Sequence, residues 1–102
     1  MSKLYTIEEI KELAIPIAKE HGVPKLALFG SFARGDATVD SDIDFLIDRG
    51  TSEKMRGWNF FGFALALEEV FEKKVDVLTY KCIDDSYIKK YALKEEIVLY
   101  EL

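Results

Sequence analysis

Residues 25–48 read KLALFGSFARGDATVDSDIDFLID, and this stretch decides the fold. Lys25 to Phe29 (KLALF) has the length and apolar character of a short buried strand. It runs straight into Gly30-Ser31, where a short helix can begin, and Arg34-Gly35-Asp36 breaks the pattern again. Asp40-Ser41 reads as loop. Asp42 to Asp48 (DIDFLID) then alternates. Ile43, Phe45 and Ile47 fall on one face and Asp42 and Asp44 on the other, because successive side chains of a strand point to opposite sides.

Upstream, Thr6 followed by Glu9 forms a capping box that starts a helix from Ile7 to about Glu20. Ile7, Ile10, Leu13, Ala14, Ile17 and Ala18 recur at helical spacing as its buried stripe. Pro16 predicts a kink and Gly22 a stop. Downstream, Gly50 to about Gly57 reads as loop and a helix follows from about Trp58 to Glu72. Its core face is Phe60, Phe63, Ala64, Leu67, Val70 and Phe71, with Trp58, Phe61 and Leu65 beside it. These three either pack under the preceding loop or form a partner patch, since aromatics are enriched at interface anchors. Tyr87 and Tyr91 invite the same two readings. Lys74 to Thr79 (KVDVLT) is a third strand, with Val75 and Val77 on one face and Asp76 on the other. Asp84 or Ser86 caps a last helix through about Lys94, and Ile97 to Leu102 (IVLYEL) is a terminal strand. Helix and strand alternate throughout, which defines an α/β (α+β) chain forming one domain over 1–102.

Composition narrows the function. The chain has 102 residues, 49% of them hydrophobic and 32% charged, as in an ordinary globular domain. No apolar run is long enough for a bilayer, and the N-terminus lacks the basic-then-apolar layout of a secretory signal. Cys82 is the single cysteine, a small buried or semi-buried side chain, so neither an intrachain disulfide nor a cysteine-rich zinc site can form. A cytoplasmic protein is expected. The net charge of −5 opposes non-specific DNA or RNA binding, which draws on neutralised phosphates. It does not oppose a nucleotide, because a metal ion supplies positive charge locally.

Three pieces carry chemistry: Gly30-Ser31 after a strand, Asp42-x-Asp44 on the next, and Asp76 on the third. Nucleotidyl transfer needs positioning and charge neutralisation more than covalent help from the protein. Mg²⁺ takes hard oxygen ligands and shares its shell with phosphate oxygens. Two carboxylates two apart on a strand point the same way, and a third from a neighbouring strand allows a second ion. Two ions about 3.5–4 Å apart stabilise both attacking and leaving oxygens. Asp42, Asp44 and Asp76 are therefore the candidate metal ligands, with Asp76 also near enough to assist deprotonation of the acceptor. Gly30 lets backbone approach a triphosphate, and Ser31 offers a hydroxyl and an N–H at a helix start. Arg34 either neutralises phosphate charge or braces the loop. Acidic residues on strands are ordinarily solvated, and three solvated aspartates would explain the charges. They would not explain the preceding Gly-Ser. His21, the single histidine, fits a helix C-cap better than catalysis, and Lys73-Lys74 and Lys89-Lys90 fit solvated surface.

With those residues in view, GSFARGDATVDSDIDFLID resembles the signature of the polymerase-β-like nucleotidyltransferase superfamily. Gly-Ser-x-Ala-Arg-Gly with Ser-Asp-x-Asp is similar to its minimal nucleotidyltransferase (MNT) branch, and the resemblance extends over nearly the whole chain. It implies a small mixed sheet flanked by helices, Asp42, Asp44 and Asp76 as the metal triad for Mg²⁺, and Gly30 and Ser31 on the nucleotide phosphates. Members of this size resemble the MntA-like antitoxins of HEPN/MNT toxin–antitoxin systems. That implies transfer of AMP from ATP to a tyrosine of a helical HEPN ribonuclease toxin, in a homo- or hetero-oligomer. Two other readings stay open. The chain could mask a toxin without catalysis, or be the catalytic half of a small-molecule nucleotidyltransferase acting on an aminoglycoside-like acceptor.

Overall fold

The computed structural model describes residues 4–48, 58–80 and 95–101. The expected loop over Gly50 to Gly57 lies outside them. So do the helix from Asp84 or Ser86 to Lys94, Cys82, Tyr87, Tyr91, Lys89-Lys90 and the Trp58 side chain.

The chain order is α1 (Ile7–Glu20), β1 (Lys25–Phe29), α2 (Ser31–Arg34), β2 (Ile43–Asp48), α3 (Trp58–Phe71), β3 (Val75–Thr79) and β4 (Ile97–Glu101). The capping box at the start of α1 is formed: Glu9 N donates to Thr6 Oγ1 at 3.1 Å and Thr6 N donates to Glu9 Oε1 at 3.0 Å. The helix runs on through Pro16 and ends at His21, whose Nδ1 lies 2.9 Å from Ile17 O. That is the capping role expected of this histidine.

The four strands form one sheet in the order β3-β2-β1-β4. β1 is antiparallel to β2 and β4, while β2 and β3 run parallel, so the sheet is mixed. A parallel pair needs a crossover connection, and α3 supplies it. Ile10, Ala14 and Ala18 of α1 and Phe63, Leu67 and Phe71 of α3 cover one face, against Leu26, Leu28, Ile43, Phe45, Ile47 and Val75. Tyr5 ties the chain start to this layer. Its ring meets Phe71 edge-on at 5.1 Å, and its hydroxyl donates to Phe71 O at 2.8 Å, satisfying a carbonyl that the helix end leaves unpaired.

Phe45 sits at the centre, fully buried with its ring 6.1 Å from that of Phe71. Phe45→Ala is expected to cost ~3–5 kcal/mol, from lost transfer energy and the cavity left behind, as read by denaturant unfolding.

Several expectations need correction. Leu13 and Val70 are exposed, not core. Each adjoins a core residue in sequence, Ala14 and Phe71, and neighbours in a helix stand about 100° apart around the axis. Phe61 and Leu65 are also exposed, so the view that they pack beneath a loop fails for these two. β2 begins at Ile43 and not Asp42, β3 at Val75 and not Lys74, and α3 ends at Phe71, because Glu72 turns to φ 54°. The far face of the sheet, which carries Asp44 and Asp76, also holds apolar residues. Ala27 and Leu46 are fully buried there, with Phe29, Leu78 and Tyr80 against them. Among the described residues, no helix is long and apolar enough to cross a membrane.

Candidate active site

The register builds the site. Asp44 pairs with Phe29 of β1 on one side and with Asp76 of β3 on the other. Paired residues share a face, so Phe29, Asp44 and Asp76 form a row on the side of the sheet away from α1 and α3. β1 ends at this row, while β2 and β3 begin beside it.

Gly30 follows Phe29 and turns the chain with φ 75° and ψ −153°, a region open essentially to glycine alone. Its backbone lies directly against the Asp44 carboxylate. A Cβ added there would collide with Asp44 Oδ2 and stand 3.2 Å from Cγ. The turn is fixed from below by Phe32, which α2 plants in the core at 4% exposure. Arg34 N donates to Gly30 O at 3.0 Å, and Gly35 N and Asp36 N donate to Ser31 O at 3.0 and 3.1 Å. The loop beyond is closed by Thr38 N donating to Ser41 Oγ at 2.9 Å and Ser41 N donating to Thr38 O at 3.0 Å. It delivers Asp42, half-buried, to the start of β2.

Electrostatics mark the row. Burial pushes the Asp44 carboxyl up to about 6, helped by the charge of Asp76, a hydrogen bond with it, and the charge of Asp42; Arg34 opposes the rise. Asp44 and Asp76 are paired across β2 and β3, and Asp42 adds its charge at Asp44. Among the described residues, no three His, Cys, Asp or Glu side chains close into a metal cage. An open pair still suits Mg²⁺, which binds through one or two carboxylates and completes its octahedron with water and phosphate oxygens. The all-oxygen donor set and the repulsion between its members both fit a divalent cation.

A pH dependence follows. The folded Asp44 holds its proton more tightly than an unfolded aspartate near 3.8, so this group favours the folded state at low pH. That contribution is present below pH 4 and is lost as pH rises through about 6. Urea unfolding in a chelator, at pH 5 and pH 7.5, is expected to show the wild type losing stability relative to Asp44→Asn. Equal behaviour of the two chains would contradict it.

Arg34 does brace the loop. Its Nε donates to Asp36 Oδ2 at 3.2 Å and its Nη1 to Glu95 Oε2 at 3.0 Å. Ser31 is half-buried at the first position of α2. Lys73 is not simply solvated: its Nζ donates to Val39 O at 3.2 Å and lies 5.1 Å over the Phe32 ring, holding the loop before Asp42. Sequence reading missed Phe32, Lys73 and Glu95 in this role. Phe32 had a signal, an apolar residue immediately after the turn. Glu95 had none, since its partner is 61 residues away.

Backbone brought into contact with a carboxylate, at a turn opening on acidic strand ends, suits an enzyme that handles phosphates. Comparison with known proteins supplies the class. The chain belongs to the polymerase-beta nucleotidyltransferase family, whose model, "Polymerase beta, Nucleotidyltransferase", matches residues 8–102, and it is a nucleotidyltransferase enzyme. It is similar to MJ0435 of Methanocaldococcus jannaschii, which carries the name of a protein adenylyltransferase. The two are 43% identical over 77 residues, spanning 76% of this chain and 81% of that one. A solved structure described as a minimal nucleotidyltransferase superposes with TM-score 0.73 at 27% identity, covering 89% of this chain and 90% of the other. A toxin–antitoxin crystal structure with AMP-PNP shares the fold at TM-score 0.73 and 17% identity, covering 90% of this chain and 73% of that one.

Proposed function

We propose that the chain is a Mg²⁺-dependent protein adenylyltransferase. It moves AMP from ATP to a tyrosine hydroxyl of a HEPN-type ribonuclease toxin in the cytoplasm, and so serves as that toxin's antitoxin. The observation that carries the reading is the pairing of Asp44 with Asp76 across β2 and β3, beside the Gly30 turn. Two repelling carboxylates held together at the mouth of a backbone turn are stabilised once a cation and a triphosphate arrive. A protein acceptor is supported by the name of MJ0435, which aligns with most of this chain. The toxin as acceptor rests on the resemblance of the Gly-Ser-x-Ala-Arg-Gly and Ser-Asp-x-Asp motifs to the MNT branch.

Asp42, Asp44 and Asp76 would hold the metal, two ions in the full complex. Held by these residues, Mg²⁺ would supply charge neutralisation for the triphosphate and for the attacking and leaving oxygens. The chain's own residues do the rest. Gly30 admits the phosphates to the backbone, and Ser31 offers them its hydroxyl and N–H. Arg34 offsets charge on the phosphates that leave. Asp76 takes the proton of the tyrosine hydroxyl as its oxygen bonds to the α-phosphorus and pyrophosphate departs.

Mass spectrometry of the toxin co-expressed with this chain tests the reading. AMP is expected on a toxin tyrosine with the wild type and not with the Asp42→Asn, Asp44→Asn double variant. A toxin that is silenced but carries no AMP would make the chain a mask and sink the proposal.

A further inference from the structure

Arg34 and Glu95 meet although 61 residues separate them in the chain. Glu95 stands two residues before β4, whose first residue, Ile97, pairs with Leu28 two residues before Gly30, so Glu95 and Gly30 lie at the same end of the β1–β4 pair. Asp44 flanks the Gly30 turn from β2, and Glu95 flanks it from the β4 side. Arg34 leaves α2 between them. Its charge is felt at Asp44, yet its ion pairs go to Asp36 and Glu95. Those two pairs engage Nε and Nη1, and neither engages Nη2. A guanidinium has five N–H donors in a rigid plane, so fixing two nitrogens fixes the direction of the third. Glu95 is also the more sheltered partner, 24% exposed against 63% for Asp36, so its hold is the firmer.

We propose that Glu95 is a positioning residue for nucleotide binding, clamping Arg34 at the mouth of the Gly30-Ser31 turn so that Nη2 faces the phosphates that leave. This rests on Gly30, Ser31 and Arg34 being the phosphate side of an ATP site. An exposed arginine loses rotamer freedom when it grips a ligand, and a clamp formed beforehand spares the complex that loss. Glu95 touches neither the reacting atoms nor the metal ligands; it acts through Arg34.

Calorimetric titration with Mg·ATP and with AMP tests this on the intact chain. Glu95→Gln is expected to weaken Mg·ATP roughly tenfold, within the range for residues sharing one ion-pair network. AMP, which lacks the leaving phosphates, is expected to bind as before. In an Arg34→Gln background, Glu95→Gln should have no further effect, because the arm it positions is gone. The inference is overturned if Glu95→Gln binds Mg·ATP as well as or better than the wild type, or loses ATP and AMP alike. It is also overturned if the loss persists without Arg34. A wild type that binds no Mg·ATP would instead remove the nucleotide-site reading, and this inference with it.

Discussion

Asp44→Asn is expected to lower AMP transfer by at least about a thousandfold, equivalent to ~4 kcal/mol of barrier, while making the metal-free chain more stable above pH 6. The two effects share one cause. Asp44 is half-buried beside Asp76, and its proton is retained to about 6 chiefly because burial disfavours the charged carboxylate, with the negative charge of Asp76 adding to the effect. Asparagine copies the protonated form in shape and charge and can donate an N–H to Asp76. The repulsion disappears, and so does the anionic oxygen a divalent cation needs. Stability gained on deleting a functional residue is the usual sign of an active site held against its own preference. Thermal unfolding in chelator and transfer of labelled AMP to the toxin, measured on the same preparation, check both halves. A variant that lost transfer but was less stable than the wild type above pH 6 would mean that Asp44 supports the fold. Added Mg²⁺ should stabilise the wild type and have little effect on the variant.

Gly30→Ala is expected to destabilise the chain by ~1–3 kcal/mol from its backbone conformation alone and to cut transfer by about a hundredfold. Alanine is strained at φ 75° and ψ −153°, and its methyl carbon would occupy the space of the Asp44 carboxylate. Either the turn shifts or Asp44 swings away from Asp76, and each outcome misplaces the acidic pair against the phosphates. Gly35→Ala is the control. Gly35 also has positive φ, 88°, but a Cβ there meets nothing within 4 Å. It should show a stability loss of ~1–2 kcal/mol with transfer retained. If Gly30→Ala transferred AMP as well as Gly35→Ala, close packing of glycine on Asp44 would have no part in the chemistry.

Local pattern made much of this legible. The alternation of Ile43, Phe45 and Ile47 with Asp44 assigned β2 and its two faces. Val75 and Val77 around Asp76 did the same for β3, and Thr6 with Glu9 marked the start of α1. Stripe width was read less well. Leu13 and Val70 satisfy helical spacing yet stay exposed, because spacing gives a direction around the axis and not how far the neighbouring layer reaches. Ala27 and Leu46 lie on the acidic face and are buried all the same, because Phe29, Leu78 and Tyr80 extend over that end of the sheet.

By itself, the sequence determined which residues could carry the chemistry and which face of each strand they occupy, since strand and helix periods are properties of neighbouring residues. Only the tertiary structure decided that β2 and β3 lie side by side and parallel, with Asp44 in register with Asp76. It also decided that Gly30 rests on Asp44 and that Glu95 reaches Arg34. Strand order and register are set by contacts between segments far apart in the chain, formed when the whole core closes, and no local period encodes them.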